Sequence, residues 1–172
     1  LDAVAVSAVG DDELGAEIRQ TFEEKDLQTQ LATVPYPTGT VAVTLDAKGI
    51  PHYEICEGVA WDNIPFSPEL EALARNTIAV CYGTLAQRNS VSRKTIESFI
   101  AAMPADGIKI CDINLRGTFY NKEILESSMR ACDILKINDE EIDEVSRLLG
   151  AEFPTQRMAA LNLMSRYEID IL

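Results

Sequence analysis

The chain has 172 residues, 47% of them hydrophobic and 25% charged, with a formal net charge of -13 at pH 7. That much apolar material can fill a core, so a disordered chain is excluded. The acidic balance, with no cluster of Lys and Arg, excludes a nucleic-acid binder and disfavours an anionic membrane as partner.

Four cysteines, Cys56, Cys81, Cys111 and Cys132, are widely spaced and lack the CxxC pairing of zinc or redox sites, so reduced and mostly buried thiols are expected. A single histidine, His52, rules out a His-rich metal site or two-histidine catalysis, and its place after Pro51 at a turn in a hairpin argues against a nucleophilic triad. The sequence has no apolar run of about 18 residues and no signal peptide, which makes the cytoplasm the default location.

Strand-length apolar runs alternate with segments of helical period along the chain. Residues 3–9, AVAVSAV, are expected as a buried strand, followed by a helix over 11–25 with Leu14, Ile18 and Phe22 four residues apart. Residues 38–58 break the pattern: Val41, Val43 and Leu45 alternate with Thr40, Ala42 and Thr44 up to a turn at DAKG, which predicts an antiparallel hairpin. A hairpin has little of its own to pack on, so it is expected to cover a site, to pair with another subunit, or to extend the main sheet as an extra edge. Trp61 and Asp62 follow it, the Trp as a core residue or one that closes over a ligand.

Further along, a strand over 77–83 leads to a helix over 92–103, whose Ile96, Phe99, Ile100 and Met103 fall at i, i+3, i+4 and i+7. A strand over 108–115 leads to a helix over 121–132, and a strand over 133–138 to a helix over 139–150 with a stripe of Ile142, Val145, Leu148 and Leu149 and Gly150 as its cap. A last helix near 155–167 precedes EIDIL, read as another strand. Repeated βα units with apolar strands imply a mostly parallel sheet covered on both faces by helices. Because both ends read as strands, the chain is expected to be an excerpt of a longer one, an incomplete α/β domain over 1–172.

In open α/β sheets the ligand lies beyond the carboxyl ends of the strands, at helix N-termini. The sequence offers VGDDELG, GTLAQR, CDINLRG and NDEE at such ends, and neither a dinucleotide glycine fingerprint nor a Walker A motif. In DILKINDEE, Asn138 ends a strand and Glu141 lies three residues on, in the first helical turn. An amide there can donate to a phosphate while the carboxylate holds the hydration shell of Mg²⁺. The same residues also make a good helix cap, with acidic side chains suited to the dipole. In DINLR, Asp112, Asn114 and Arg116 share one side of an extended chain, which suits a polyhydroxylated or anionic substrate or, more plainly, an internal Asp–Arg pair. Arg88, beside Gln87, is a weaker candidate of the same kind.

VGDDELG after a strand, PTGTVAVTLDAKG, DINLR and LKINDEE, in this order, resemble the ribokinase-like, PfkB-type carbohydrate kinases, and VAWD with GTLAQR is most similar to their fructokinase branch. The resemblance implies a doubly wound α/β fold with residues 38–58 as a small β lid, often shared within a homodimer. It implies transfer of the ATP γ-phosphate to a sugar hydroxyl, with fructose as the first candidate and 2-keto-3-deoxygluconate or another sugar as an alternative. Asn138 and Glu141 match the family's Asn-x-x-Glu motif, which organises phosphates and Mg²⁺, and Arg116, with Asp112 and Asn114, matches the motif beside the substrate and the transferred group. The family's Gly-Ala-Gly-Asp base motif and its early Gly-Gly-x-x-x-Asn sugar motif are absent from these residues and are expected outside them. A catalytically silent sugar-binding protein of the same fold is the competing expectation.

Overall fold

The computed structural model describes residues 2–46 and 48–172, which divide into two compact units, Leu1–Pro65 and Phe66–Leu172. Strand β1 (Val4–Gly10) leads through helix α1 (Glu13–Glu24) to β2 (Gln28–Val34), and the two strands pair in parallel from Val4 opposite Gln28 to Gly10 opposite Val34. Only the carboxyl end of β1 is buried, because the unit's core is small: Ala8 and Val34 pack with Ala60 and Ile64 near a 3-10 turn at Ala60–Asn63. For the same reason the α1 stripe is not covered as expected; Leu14 is 46% exposed, and Leu14, Ile18 and Phe22 line a groove with Thr38, Gly39 and Thr40.

Asp12 organises this unit. Its Oδ1 caps α1 by accepting from the Gly15 amide and also accepts from the Thr38 hydroxyl, while Oδ2 accepts from the Thr38 amide. These bonds, those from Thr38 first, hold the carboxyl below its ordinary pKa of 3.8. The contribution is therefore whole above about pH 3.8 and decays as the pH falls through the lowered value. Asp12→Ala is expected to lower stability at pH 7 and to flatten its decline below pH 4, read from urea midpoints across pH.

The hairpin forms as the alternation predicts, from β3 (Val41–Leu45) and β4 (Pro51–Ile55), antiparallel with Val43 opposite Tyr53. Ala47 of the DAKG turn lies outside the described residues; Asp46 accepts the amides of Lys48 and Ile50, and Gly49 takes φ +78°, a left-handed value that favours glycine. Val41, Val43, Leu45 and Tyr53 share one face and are each at least half exposed. Just beyond, Trp61 is half-buried, its indole so close to Gly39 that a Cβ there would lie 2.2 Å from Nε1. His52 is on β4, 3.9 Å from Asp46.

The second unit is the larger α/β body. Helix α2 (Pro68–Arg75) opens it, followed by β5 (Ala79–Gly83), a 3-10 turn at Leu85–Arg88, α3 (Ser90–Ala102), β6 (Ile108–Asp112), α4 (Lys122–Arg130), β7 (Ile134–Lys136), α5 (Asp139–Leu148) and α6 (Gln156–Tyr167). The strands form a parallel sheet in the order β5-β6-β7, with Gly83 opposite Asp112 and Asp112 opposite Lys136 at the carboxyl edge. The expected terminal strand is a single parallel bridge, Ile171 with Ile134. Cys111, Ile113, Leu125, Met129, Val145 and Leu163 form the dry centre of the core, each large side chain contributing about 1.5–3 kcal/mol. Two cysteines depart from the expectation: Cys111 and Cys132 are buried free thiols, and burial pushes the Cys132 thiol up to about 11, but Cys81 is exposed and Cys56 half-exposed.

All six described α-helices begin with a side-chain cap, at Asp12, Ser67, Asn89, Asn121, Asn138 and Thr155, each worth about 1 kcal/mol. The other end of α5 closes as expected: Gly150 has φ +77° and the Ala151 amide donates to the Ser146 carbonyl. The described residues contain no helix long and apolar enough to cross a membrane.

Candidate functional site

The carboxyl edge of the β5-β6-β7 sheet collects Arg88, Asp112, Asn114, Arg116, Asn138 and Glu141, whereas VGDDELG lies at the end of β1 in the other unit. Asn138 caps α5, its Oδ1 accepting from the Glu141 amide at 2.9 Å. Glu141 answers with Oε2, which accepts from the Asn138 amide at 3.0 Å, so the capping reading of the sequence is literally present. The other oxygen does something the motif alone does not announce: Oε1 accepts from the Leu115 amide at 2.8 Å, across 26 residues. A carboxylate only 7% exposed thus ties the loop after β6 to the turn after β7.

That tie brings the two sequence motifs together. Arg116 follows Leu115 directly; its side chain is exposed and donates through Nη1 to the Leu115 carbonyl at 2.9 Å. The Phe119 amide donates to the Arg116 carbonyl, and the guanidinium of Arg88 lies over the Phe119 ring, 4.5 Å from its centroid. Arg88 reaches the same loop from the 3-10 turn after β5. Thr84, buried at the end of β5, donates its hydroxyl to the Ile113 carbonyl at 2.6 Å and stitches the third strand end to the same place.

One detail of the sequence reading needs correction. The expected strand over 108–115 ends at Asp112, and Asn114 takes φ +42°, so Asp112, Asn114 and Arg116 do not lie in register on one extended face. Asn tolerates this left-handed conformation better than most residues, and Gly117 follows at φ +50°. The chain turns sharply here, leaving the Asn114 and Arg116 side chains exposed at the edge. Asp112 is also not paired with Arg116: its oxygens lie 2.9 and 3.0 Å from the ammonium of Lys136, its register partner on β7. Lys136 was not among the sequence candidates, although its place two residues before Asn138 on an otherwise apolar strand is a legible signal.

The donor set suits phosphate and sugar oxygens. Asn114, Arg116 and Lys136 present N–H groups at an edge where parallel strands end and α5 begins. Mg²⁺ takes oxygen ligands in an octahedron and retains waters beside one or two carboxylates. Each Glu141 oxygen uses one lone pair on a backbone amide and keeps another, so the residue fits a partner of the metal's water shell better than a direct ligand. No group of three or more His, Cys, Asp or Glu able to hold a metal occurs among the described residues.

The chain is similar to known proteins in sequence and in fold. A curated sugar kinase of Pyrococcus horikoshii, itself described as uncharacterised, is 22% identical over 144 residues, 80% of this chain and 46% of its own length. Its crystal structure in complex with ATP superposes with a TM-score of 0.74 over 88% of this chain and 52% of that one, at 22% identity. Fructokinases from Xylella fastidiosa and Vibrio cholerae each superpose with a TM-score of 0.80, over 98% and 96% of this chain and 53% and 57% of theirs, at 17% and 20% identity. At such identities the structural likeness is one of fold, and the chain spans about half the length of these relatives. The sequence matches the pfkB family of carbohydrate kinases over residues 1–166. This match over nearly the whole chain leads to one conclusion: the chain belongs to the pfkB carbohydrate kinase family.

Proposed function

We propose that the whole protein is a cytoplasmic, ATP-dependent sugar kinase that phosphorylates a hydroxyl of a ketohexose, fructose first. The observation that carries the reading is the Glu141 tie, which hangs the Arg116 loop and the Asn138 turn on one carboxylate at the carboxyl edge of a parallel sheet. Phosphoryl transfer asks a protein mainly for positioning and charge neutralisation, and this edge supplies both. Asn138 offers its amide to phosphate oxygens at the start of α5, Arg116 presents a forked donor to the transferred group, and Asn114 and Arg88 belong to the acceptor side. Asp112 stands at the same mouth with its carboxylate on the Lys136 ammonium. Glu141 would hold the hydration shell of a Mg²⁺ ion, which would supply the remaining neutralisation of the phosphates. The general base is not among the residues assigned here; the family resemblance puts that aspartate in the Gly-Ala-Gly-Asp motif.

The test is a panel of fructose, other neutral sugars and 2-keto-3-deoxygluconate with the whole protein, following ADP release. Fructose turnover is the expected result. A site built on a substrate carboxylate would discriminate strongly against the neutral sugar, so preference for the acid moves the assignment to Arg88 and Arg116 as carboxylate partners. Sugar binding without ADP release supports the silent sugar-binding alternative.

The hairpin belongs to the proposal as a homodimer lid. Val41, Val43, Leu45 and Tyr53 form an apolar face on a two-stranded ribbon, which is unstable without a cover. Val43→Asp with Tyr53→Asp is expected to turn a dimer into a monomer in sedimentation equilibrium; an unchanged mass would remove the lid from the interface.

A further inference from the structure

At the carboxyl edge the Lys136 ammonium is held by both oxygens of one carboxylate, Asp112, directly across the β6-β7 register. The Lys136 side chain is 72% exposed and that of Asp112 31%, and an ion pair this wet contributes little to stability. Nζ lies within hydrogen-bond distance of both Asp112 oxygens, and an ammonium carries three N–H donors, so at least one can still meet a ligand beyond the edge. Each Asp112 oxygen spends one lone pair on this ammonium, so the carboxylate fixes where the cation stands. A chain of net charge -13 also repels polyphosphate until local cations offset its field.

We propose that Lys136 is a catalytic residue that contacts the phosphoryl group in transit, and that Asp112 is its positioning residue rather than a sugar ligand. This rests on the kinase reading above. In the step, the bond from the γ-phosphorus to the β,γ-bridging oxygen breaks and ADP leaves with the electron pair. A sugar hydroxyl oxygen bonds to that phosphorus, and its proton passes to a carboxylate base outside the residues assigned here. Lys136 exchanges no proton; its fixed charge faces the oxygens that gain negative charge. Lys136 lies two residues before Asn138, and the Ile113 amide donates to the Lys136 carbonyl, so the cation shares the edge that the Glu141 tie assembles. Asp112, by hydrogen bond and charge, also raises the ammonium's pKa and keeps it protonated.

The experiment compares Lys136→Met, Lys136→Arg and Asp112→Asn in the whole protein, with urea midpoints as the folding control. Lys136→Met is expected to lower kcat by about 10²-fold, the size typical of one lost donor at a charged transition state, with KM for the sugar within about twofold. Lys136→Arg restores part of the loss. Asp112→Asn leaves the sugar KM unchanged, raises KM for ATP and moves the alkaline limb of the kcat profile to lower pH, which a purely structural role would not do. Wild-type kcat in Lys136→Met overturns the proposal, and so does a raised sugar KM with unchanged ATP parameters in Asp112→Asn. Calorimetric binding of ATP-Mg²⁺ separates this from the parent reading. If the wild type phosphorylates no sugar, the kinase reading falls, yet weaker ATP binding in Lys136→Met still upholds the phosphate contact and equal binding removes it.

Discussion

Glu141→Ala is expected to lower both the stability and the turnover of the whole protein. The substitution leaves the Leu115 and Asn138 amides without their acceptor; an unsatisfied donor costs about 1–3 kcal/mol, and because both bonds are only part-buried water recovers some of it, so the loss should fall near 2–4 kcal/mol. With a urea dependence of about 2 kcal/mol per M, the midpoint moves down by about 1–2 M. Glu141→Gln keeps one acceptor oxygen but presents an N–H group to a backbone amide that also donates. It should therefore lose about half as much stability while raising the Mg²⁺ concentration needed for half-maximal turnover. A stable Glu141→Gln with unchanged metal dependence would leave Glu141 as a cap and nothing more.

Arg116→Ala should separate the two kinds of effect. The side chain is exposed and its one described bond goes to its own neighbour's carbonyl, so stability should change by no more than about 0.5 kcal/mol. Turnover is expected to fall by about 10²-fold or more, because in the proposed reaction this forked donor meets the transferred phosphoryl group and acts on the transition state. Arg116→Lys keeps the charge without the fork and should recover only part of that loss. Equal kcat in all three proteins would take Arg116 out of the reaction.

The larger unit was largely legible because its elements announce themselves chemically. Strands β5, β6 and β7 are short apolar runs, and each following helix starts at an Asn cap and carries an apolar stripe. Strand β2 was not, since Gln28, Thr29 and Gln30 dilute its pattern and most of its residues stay partly exposed. Helix α2 was missed although Ser67 followed by Pro68 is a strong start signal; eight residues give period too little length to register. At the site, the motif Asn138 to Glu141 named the right turn, yet sequence spacing holds no trace of the Leu115 contact, which exists only once β6 and β7 lie side by side. The same blindness applied to Asp112, whose sequence neighbour Arg116 looked like its natural partner until Asn114 turned the chain and register supplied Lys136 instead.

A single side chain that holds two turns also yokes their lengths. Adding or deleting a residue between Asp112 and Leu115, or between Lys136 and Glu141, would carry one amide beyond the carboxylate's reach. Engineers seeking new acceptor specificity have freer ground beyond Gly117, where the described hydrogen bonds to Glu141 impose nothing on loop length.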